Sequence, residues 1–177
     1  FRSNLTEMTN IHTFDISEPG ETVYTGSGRV DGTILNQFSI SEYEGILRVA
    51  TTTGQWGRWW LDNPEPMSSQ VVTLTRSIDL ETNQQVLVEV GKVGGIAEGE
   101  RIWSARFVGD TAYIVTFEQI DPLWVIDLSD VTQPQILGEL EVPGVSTYIH
   151  PLEEGHLLTI DRKSTRLNSS HQIISYA

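Results

Sequence analysis

The sequence predicts an all-β fold built from repeated four-stranded units. Three observations point to it. Short segments are rich in Val, Ile, Thr and aromatic residues. These segments are separated by Gly, Pro, Asp and Ser, and the order of the segments recurs along the chain. Such segments are typical of antiparallel hairpins. Because no stretch combines 3.6-residue apolar periodicity with helix caps, we predict essentially no helix.

Two kinds of strand pair alternate along the chain. The first kind occupies residues 11–17 and 22–29, 70–75 and 86–93, and 123–129 and 136–142. The second kind occupies residues 35–40 and 46–51, 102–108 and 112–117, and 147–150 and 156–160. Gly32, Gly95 and Gly144 end successive units at spacings of 63 and 49 residues. The shorter spacing is close to the roughly 40–50 residues of one β-propeller blade.

We therefore predict a partial β-propeller over residues 1–161, an open arc of two complete four-stranded blades between two half-blades. The predicted parts are a half-blade at 10–32, a blade at 35–95 with an insertion at 52–67, a blade at 101–144 and a half-blade at 147–161. A β-sandwich would also use short strands, but its strands do not recur as matching four-strand blocks. The half-blades could pair with each other, yet a three-bladed ring falls below the usual four to eight blades.

Several segments resemble a bacterial and archaeal family of secreted β-propeller domains. They are residues 35–39, 48–52, 99–102, 115–123, 125–130 and 138–144. The hairpin at 123–142 also resembles LVIVD-type propeller repeats, with Val131-Thr132 where Pro often follows the Asp. The resemblance covers roughly residues 10–160 and implies a secreted or cell-envelope protein. It supplies no catalytic residue to transfer.

The resemblance stops near Asp161, and the remaining sequence differs in charge and pattern. Residues 162–177 contain three basic residues and no acidic one, whereas the whole chain has a net charge of -13. We expect this segment to be a non-native or disordered tail outside the propeller, with a genuine exposed tail as the alternative. We also expect the chain to be a piece of a larger propeller whose other blades are its partners.

Composition excludes several classes of function. The strongly acidic surface disfavours binding to nucleic acid. The chain has no Cys, which excludes disulfides, zinc-thiolate sites and Cys nucleophiles. No apolar run reaches the length of a transmembrane helix.

The insertion holds the predicted interaction residues Trp56, Arg58, Trp59 and Trp60. Exposed aromatic rings beside an arginine could stack on a sugar or be buried by a protein partner. The alternative is that the insertion folds over a sheet face and buries its own Trp side chains.

Other polar motifs have structural interpretations. Asp127-Leu128-Ser129-Asp130 suits a turn in which side chains accept backbone N–H groups, and it lacks the oxygen spacing of a calcium loop. His12, His150 and His156 fall on different predicted strands without metal-ligand spacing. The pairs Glu42 and Glu44, and Glu98 and Glu100, suit solvated turns rather than a glycosidase site. The Gly-rich stretch 91–99 lacks the end of a phosphate-binding loop.

No catalytic, cofactor-binding or metal-binding residue is therefore predicted. The first hypothesis is a binding or scaffolding module of a larger secreted or envelope-anchored protein, with an unknown protein or carbohydrate ligand. The second is part of an extracellular enzyme whose active site is completed by other blades. Propellers support both, because they combine a rigid ring with variable loops.

Overall fold

The computed structural model describes residues 7–54, 66–117, 121–142, 146–153, 155–161 and 172–175. All its long elements are strands, and the one helix among these residues is a 3-10 turn at Gln37–Ser39. The strands are β1 Met8–Asp15, β2 Val23–Asp31, β3 Ile40–Tyr43, β4 Ile46–Thr53, β5 Ser68–Ile78, β6 Gln85–Ile96, β7 Arg101–Val108, β8 Thr111–Phe117, β9 Asp121–Asp127, β10 Gln135–Val142, β11 Ser146–Pro151, β12 His156–Asp161 and β13 Gln172–Ser175. Within the described part of the chain, no helix is long and apolar enough to cross a membrane.

Two runs of four sequential antiparallel strands correspond to the predicted blades. Strands β3 to β6 make the first blade and strands β7 to β10 make the second, each with sequential strands as neighbours. This is the meander that short turns between consecutive strands produce. The all-β class and the propeller arrangement predicted from the repeat are confirmed.

The sheets stack face to face, and each junction buries an apolar cluster. The cluster between the β1–β2 hairpin and the first blade contains Ile11, Val30, Val49, Val72, Leu74 and Leu87. The cluster between the two blades contains Ala50, Val71, Ile96, Ile102, Ala105, Ala112, Ile114, Ile126 and Leu128. The cluster between the second blade and the last sheet contains Val115, Leu123, Ile149 and Leu157. Each sheet therefore depends on its neighbours for its core.

The first predicted half-blade is not a separate sheet. Its strand β2 forms one parallel pair with β6, at Ser27 and Val86, which joins the hairpin to the first blade in a six-stranded sheet. The approach is possible because β2 has glycine at its closest point. A Cβ on Gly28 would lie 2.6 Å from the Cβ of Leu87. Sequence periodicity gave no indication of this junction, since the two segments are far apart along the chain.

The start of the first blade also differs from prediction. We expected a strand at 35–40, but the strand is Ile40–Tyr43 and the turn that follows is only Glu44 and Gly45. The Asn36 side chain accepts the N–H of Phe38 at 2.9 Å and starts the 3-10 turn. Both Glu44 and Gly45 have positive φ, which closes a two-residue hairpin.

Other boundaries shift slightly. Thr52 and Thr53, predicted to open the insertion, pair with Ser69 and Ser68 as the end of β4. The half-blades do not pair with each other in the described residues. Instead β12 pairs with β13, so the last sheet has three strands. Strand β13 lies in the segment 162–177 that we expected to be outside the propeller, and it places four residues of that segment in a sheet.

The first strands of the stacked sheets converge at one edge. Phe38, just before β3, contacts the ring of Tyr148 on β11 at a centroid distance of 5.7 Å, although the second blade lies between their sheets. Strand β7 contacts both the 3-10 turn and β11. Because residues of sheets that are not neighbours meet here, we call this side the inner edge of the arc.

Candidate functional site: a cleft at the stems of the insertion

A cleft of about 320 Å³ lies where the insertion leaves β4 and returns to β5. Its lining combines polar and apolar side chains from both blades and their connections. They are Glu7, Thr33, Ile34, Leu35, Thr52, Gly54, Met67, Arg101 and Ile102. The volume falls at the lower end of the range of small-ligand sites.

Hydrogen bonds fix the walls of the cleft. Thr33 and Thr52 form an isolated antiparallel bridge with N–H to carbonyl distances of 2.9 and 3.0 Å. The hydroxyl of Thr52 accepts the N–H of Ile102 at 3.0 Å. The N–H of Gly99 donates to the carbonyl of Met67 at 2.7 Å. The connections that enter both blades are thus tied to the two stems of the insertion.

The cleft offers donors, acceptors and an aromatic neighbour. Glu7 and Arg101 contribute one acidic and one basic side chain. The guanidinium of Arg101 lies 4.6 Å from the ring centroid of Trp103, so the cation is stacked on an indole. Next to it in sequence, Oε2 of Glu100 is buried and accepts no hydrogen bond from the described residues. Glu100 is not among the described residues that line the cleft.

The predicted interaction residues Trp56, Arg58, Trp59 and Trp60 lie outside the described residues. Their role therefore stays a prediction. The structure does place both flanks of the insertion, Gly54 and Met67, in the wall of the cleft. Sequence analysis identified the insertion but not the cleft, because the other lining residues come from distant segments.

The predicted aspartate turn at residues 127–130 is confirmed. Turns of this kind follow three strands, β1, β5 and β9. Oδ1 of Asp127 accepts the N–H of Ser129 at 2.8 Å, and Oδ1 of Asp130 accepts that of Thr132 at 2.9 Å. Asp15 and Asp79 accept in the same way at the ends of β1 and β5. These bonds, from backbone and side chain of the following Ser and Thr residues, hold the pKa of each carboxyl below its usual range. The shared sequence signal is an aspartate two residues before the residue whose backbone N–H it accepts.

The remaining polar candidates are dispersed. His12 is on β1, His150 on β11 and His156 on β12. Across the ranges that the structure describes, no three His, Cys, Asp or Glu side chains form a group that could hold a metal ion. Glu42 accepts the N–H of Gly45 at 2.7 Å and so belongs to the β3–β4 turn.

Two arginines link the blades near the inner edge. Arg48 is buried between the rings of Tyr43 and Phe107, at 5.1 and 5.2 Å, and donates to the carbonyl of Gly109 and, at 2.8 Å, to Ser41 Oγ. Burial lowers the pKa of Arg48, and the charge of Asp110 partly offsets this.

Arg106 lies between Phe38 and Tyr148 and donates to the carbonyl of Ile149. Sequence analysis identified neither arginine, because each contacts residues of another sheet.

Comparison with known proteins agrees with this architecture. The family model described as Beta propeller domain matches residues 2–173, which reaches into the segment expected to be foreign. An uncharacterized protein of Methanocaldococcus jannaschii is 45% identical over 126 residues, which are 71% of this chain and 18% of that protein. An uncharacterized protein of Archaeoglobus fulgidus is 38% identical over 164 residues, which are 93% of this chain and 23% of that protein.

The chain thus spans about a fifth of the length of these curated relatives. The match covers both complete blades and both flanking hairpins. Taken with the repeated antiparallel sheets that stack through apolar faces, it shows that this chain belongs to the Beta propeller domain family.

Proposed function

We propose that this chain is a ligand-binding module of a larger secreted or envelope-anchored propeller protein. The observation that carries the proposal is the cleft of about 320 Å³ at the stems of the insertion. Loops held by a rigid scaffold commonly provide binding sites. The relatives, about five times as long as the matched region, fit a role as one part of a larger protein.

A small carbohydrate suits the cleft better than the surface of a protein. A standard protein interface covers about 800 Å² and roughly 20–30 residues on each partner. Nine of the described residues line the cleft, which is too few for such an interface. Sugars present hydroxyl groups for the Glu7 and Arg101 side chains and flat apolar faces for aromatic rings. Trp56, Trp59 and Trp60 in the insertion add such rings to the proposal.

The test is a screen of immobilised oligosaccharides and peptides, followed by calorimetric titration with the best oligosaccharide. Leu35 lines the cleft and is 45% exposed, so Leu35→Glu should weaken binding at least tenfold. Leu80 is 97% exposed and does not line the cleft, so Leu80→Glu is the matched control and should bind like the unmodified chain.

Equal loss in both variants, or binding of peptides alone, would overturn the carbohydrate proposal. Cleavage of the bound oligosaccharide would instead favour the enzyme hypothesis. Fractionation of cells that express the full-length protein tests the proposed location, since a purely cytosolic protein would contradict it.

A further inference from the structure

Arg106 lies at the point on the inner edge where three sheets meet. Its guanidinium carbon is 4.2 Å from the ring centroid of Phe38 and 5.4 Å from that of Tyr148. Phe38 precedes the first blade, Arg106 is on β7 of the second, and Tyr148 is on β11 of the last sheet. The planar cation is therefore held between two aromatic rings in one orientation.

Only part of the donor capacity of Arg106 is used within the described chain. Nε donates to the carbonyl of Ile149 at 2.9 Å, and Nη2 donates to Oη of Tyr148 at 3.2 Å. A guanidinium has five N–H groups. The other three have no acceptor among the residues that the structure describes. The side chain is half-buried, so these donors lie beside solvent.

His150 adds a further donor next to this cation. Its Nδ1 is 3.2 Å from Oη of Tyr148, and the two rings stack with centroids 6.1 Å apart. Because Oη accepts from Arg106, its own proton is available to Nδ1. In the neutral imidazole the ring proton is then on Nε2. His150 is exposed, so an N–H of the ring is accessible to a ligand.

The charge around Arg106 differs from that around Arg48. Arg48 is 3% exposed and has Asp110 and Glu42 close enough to influence its pKa. For Arg106, no carboxylate of the described chain lies within ion-pair distance. The full sequence contains 24 acidic and 11 basic residues, so the charge of Arg106 is opposite to the net charge of the chain.

We propose that Arg106 and His150 form a binding site for an oxyanion group, a carboxylate or a phosphate, of a small ligand at the inner edge. Arg106 supplies charge and paired N–H donors with fixed direction, the arrangement that binds carboxylate and phosphate oxygens. The His150 ring supplies a neighbouring donor. Phe38 and Tyr148 fix the guanidinium and leave apolar surface for the rest of the ligand. This site is distinct from the cleft at the stems of the insertion.

The test is a titration of the full chain, labelled with ¹⁵N at histidine, with sodium phosphate and with sodium acetate at constant ionic strength. Imidazole resonances of His150, assigned with His150→Gln, should shift and saturate with at least one anion, whereas those of His12 and His156 should not. Tighter binding of phosphate than acetate indicates a phosphate-bearing ligand, and the reverse order indicates a carboxylate.

Arg106→Lys keeps the charge but loses the planar fork, and it should weaken binding at least fivefold. Arg29 occupies an exposed position on β2, so Arg29→Lys is the matched control and should leave the affinity for the anion unchanged. Absence of a saturable His150 shift in the unmodified chain overturns the proposal, as does equal binding by folded Arg106→Lys. If that variant does not fold, Tyr148→Phe, which removes the hydroxyl between the two groups, should weaken binding at least twofold, and unchanged affinity would contradict the proposal.

Discussion

Gly91 of β6 lies directly against the carbonyl oxygen of Val131 in the β9–β10 turn, so close that any Cβ at this position would overlap that oxygen. The hydroxyl of Thr73 lies beside them, 2.6 Å from the same oxygen and 3.0 Å from the carbonyl of Gly91. The turn of the second blade therefore docks on the first blade through close backbone contact, in addition to the packing of the Leu128 side chain between the blades.

We expect Gly91→Ala to destabilise the protein by about 2–3 kcal/mol, the range of overpacking in a well-packed region. Gly138 on β10 is the matched control, since a Cβ there meets no atom within 4 Å. Gly138→Ala should change the free energy of unfolding by less than about 0.5 kcal/mol. Urea unfolding measures both, and equal effects would show that the close contact is not the cause.

Thr73→Val should cost about 1 kcal/mol, because it removes the hydroxyl that bridges the two blades and keeps the shape of the side chain. Thr73→Ser retains the hydroxyl and should be less destabilising if the hydrogen bond is decisive. Thermal unfolding of the two variants separates the contribution of the hydroxyl from that of the methyl group. A larger loss in the Ser variant would indicate that packing dominates.

Arg48→Met should destabilise the protein by about 2 kcal/mol, since it leaves the carbonyl of Gly109 and the Ser41 hydroxyl without their charged donor. Arg48→Lys should restore only part of this loss, because an ammonium cannot reproduce the planar fork between Tyr43 and Phe107. Denaturant midpoints measure both. Full recovery with Lys would mean that charge alone matters.

Stability should fall in acid because of the aspartate turns. The pKa values of Asp15, Asp79, Asp127 and Asp130 are lower in the folded chain than the ordinary value of about 3.9. A lowered folded pKa adds stability above the unfolded pKa, and this is lost as pH falls through the folded value. The loss should begin as pH falls through the unfolded pKa of about 4 and continue through the lower folded values. Asp127→Asn keeps the acceptor oxygen without titrating, so unfolding measured against pH should show a shallower slope.

The β1–β2 hairpin leaves large apolar side chains in solvent, and we expect the chain by itself to self-associate. Phe14 is 54% exposed, Ile16 75%, Val23 48% and Tyr24 47%. In a stack of blades, apolar side chains such as these are covered by a neighbouring blade. Sedimentation should show oligomers, and Ile16→Lys with Val23→Lys should reduce them. A monodisperse monomer that unfolds cooperatively would contradict this expectation.

Local sequence was sufficient for most strands and turns. Alternation along 123–129 predicted β9, and Asp127 with Ser129 predicted the turn that follows. Prediction from local sequence failed at Asn36, because its side chain caps a 3-10 turn where we expected a strand. The cleft could be anticipated only at its insertion, because Thr33 and Arg101 reach it from segments that are distant along the chain.

The sequence by itself determined that this is a repeated all-β chain, because strand periodicity and turn chemistry act between residues a few positions apart. Only the tertiary structure decided which residues meet between sheets. Gly91 meets Val131, and Phe38, Arg106 and Tyr148 come together, because stacking fixes distances that no local pattern encodes.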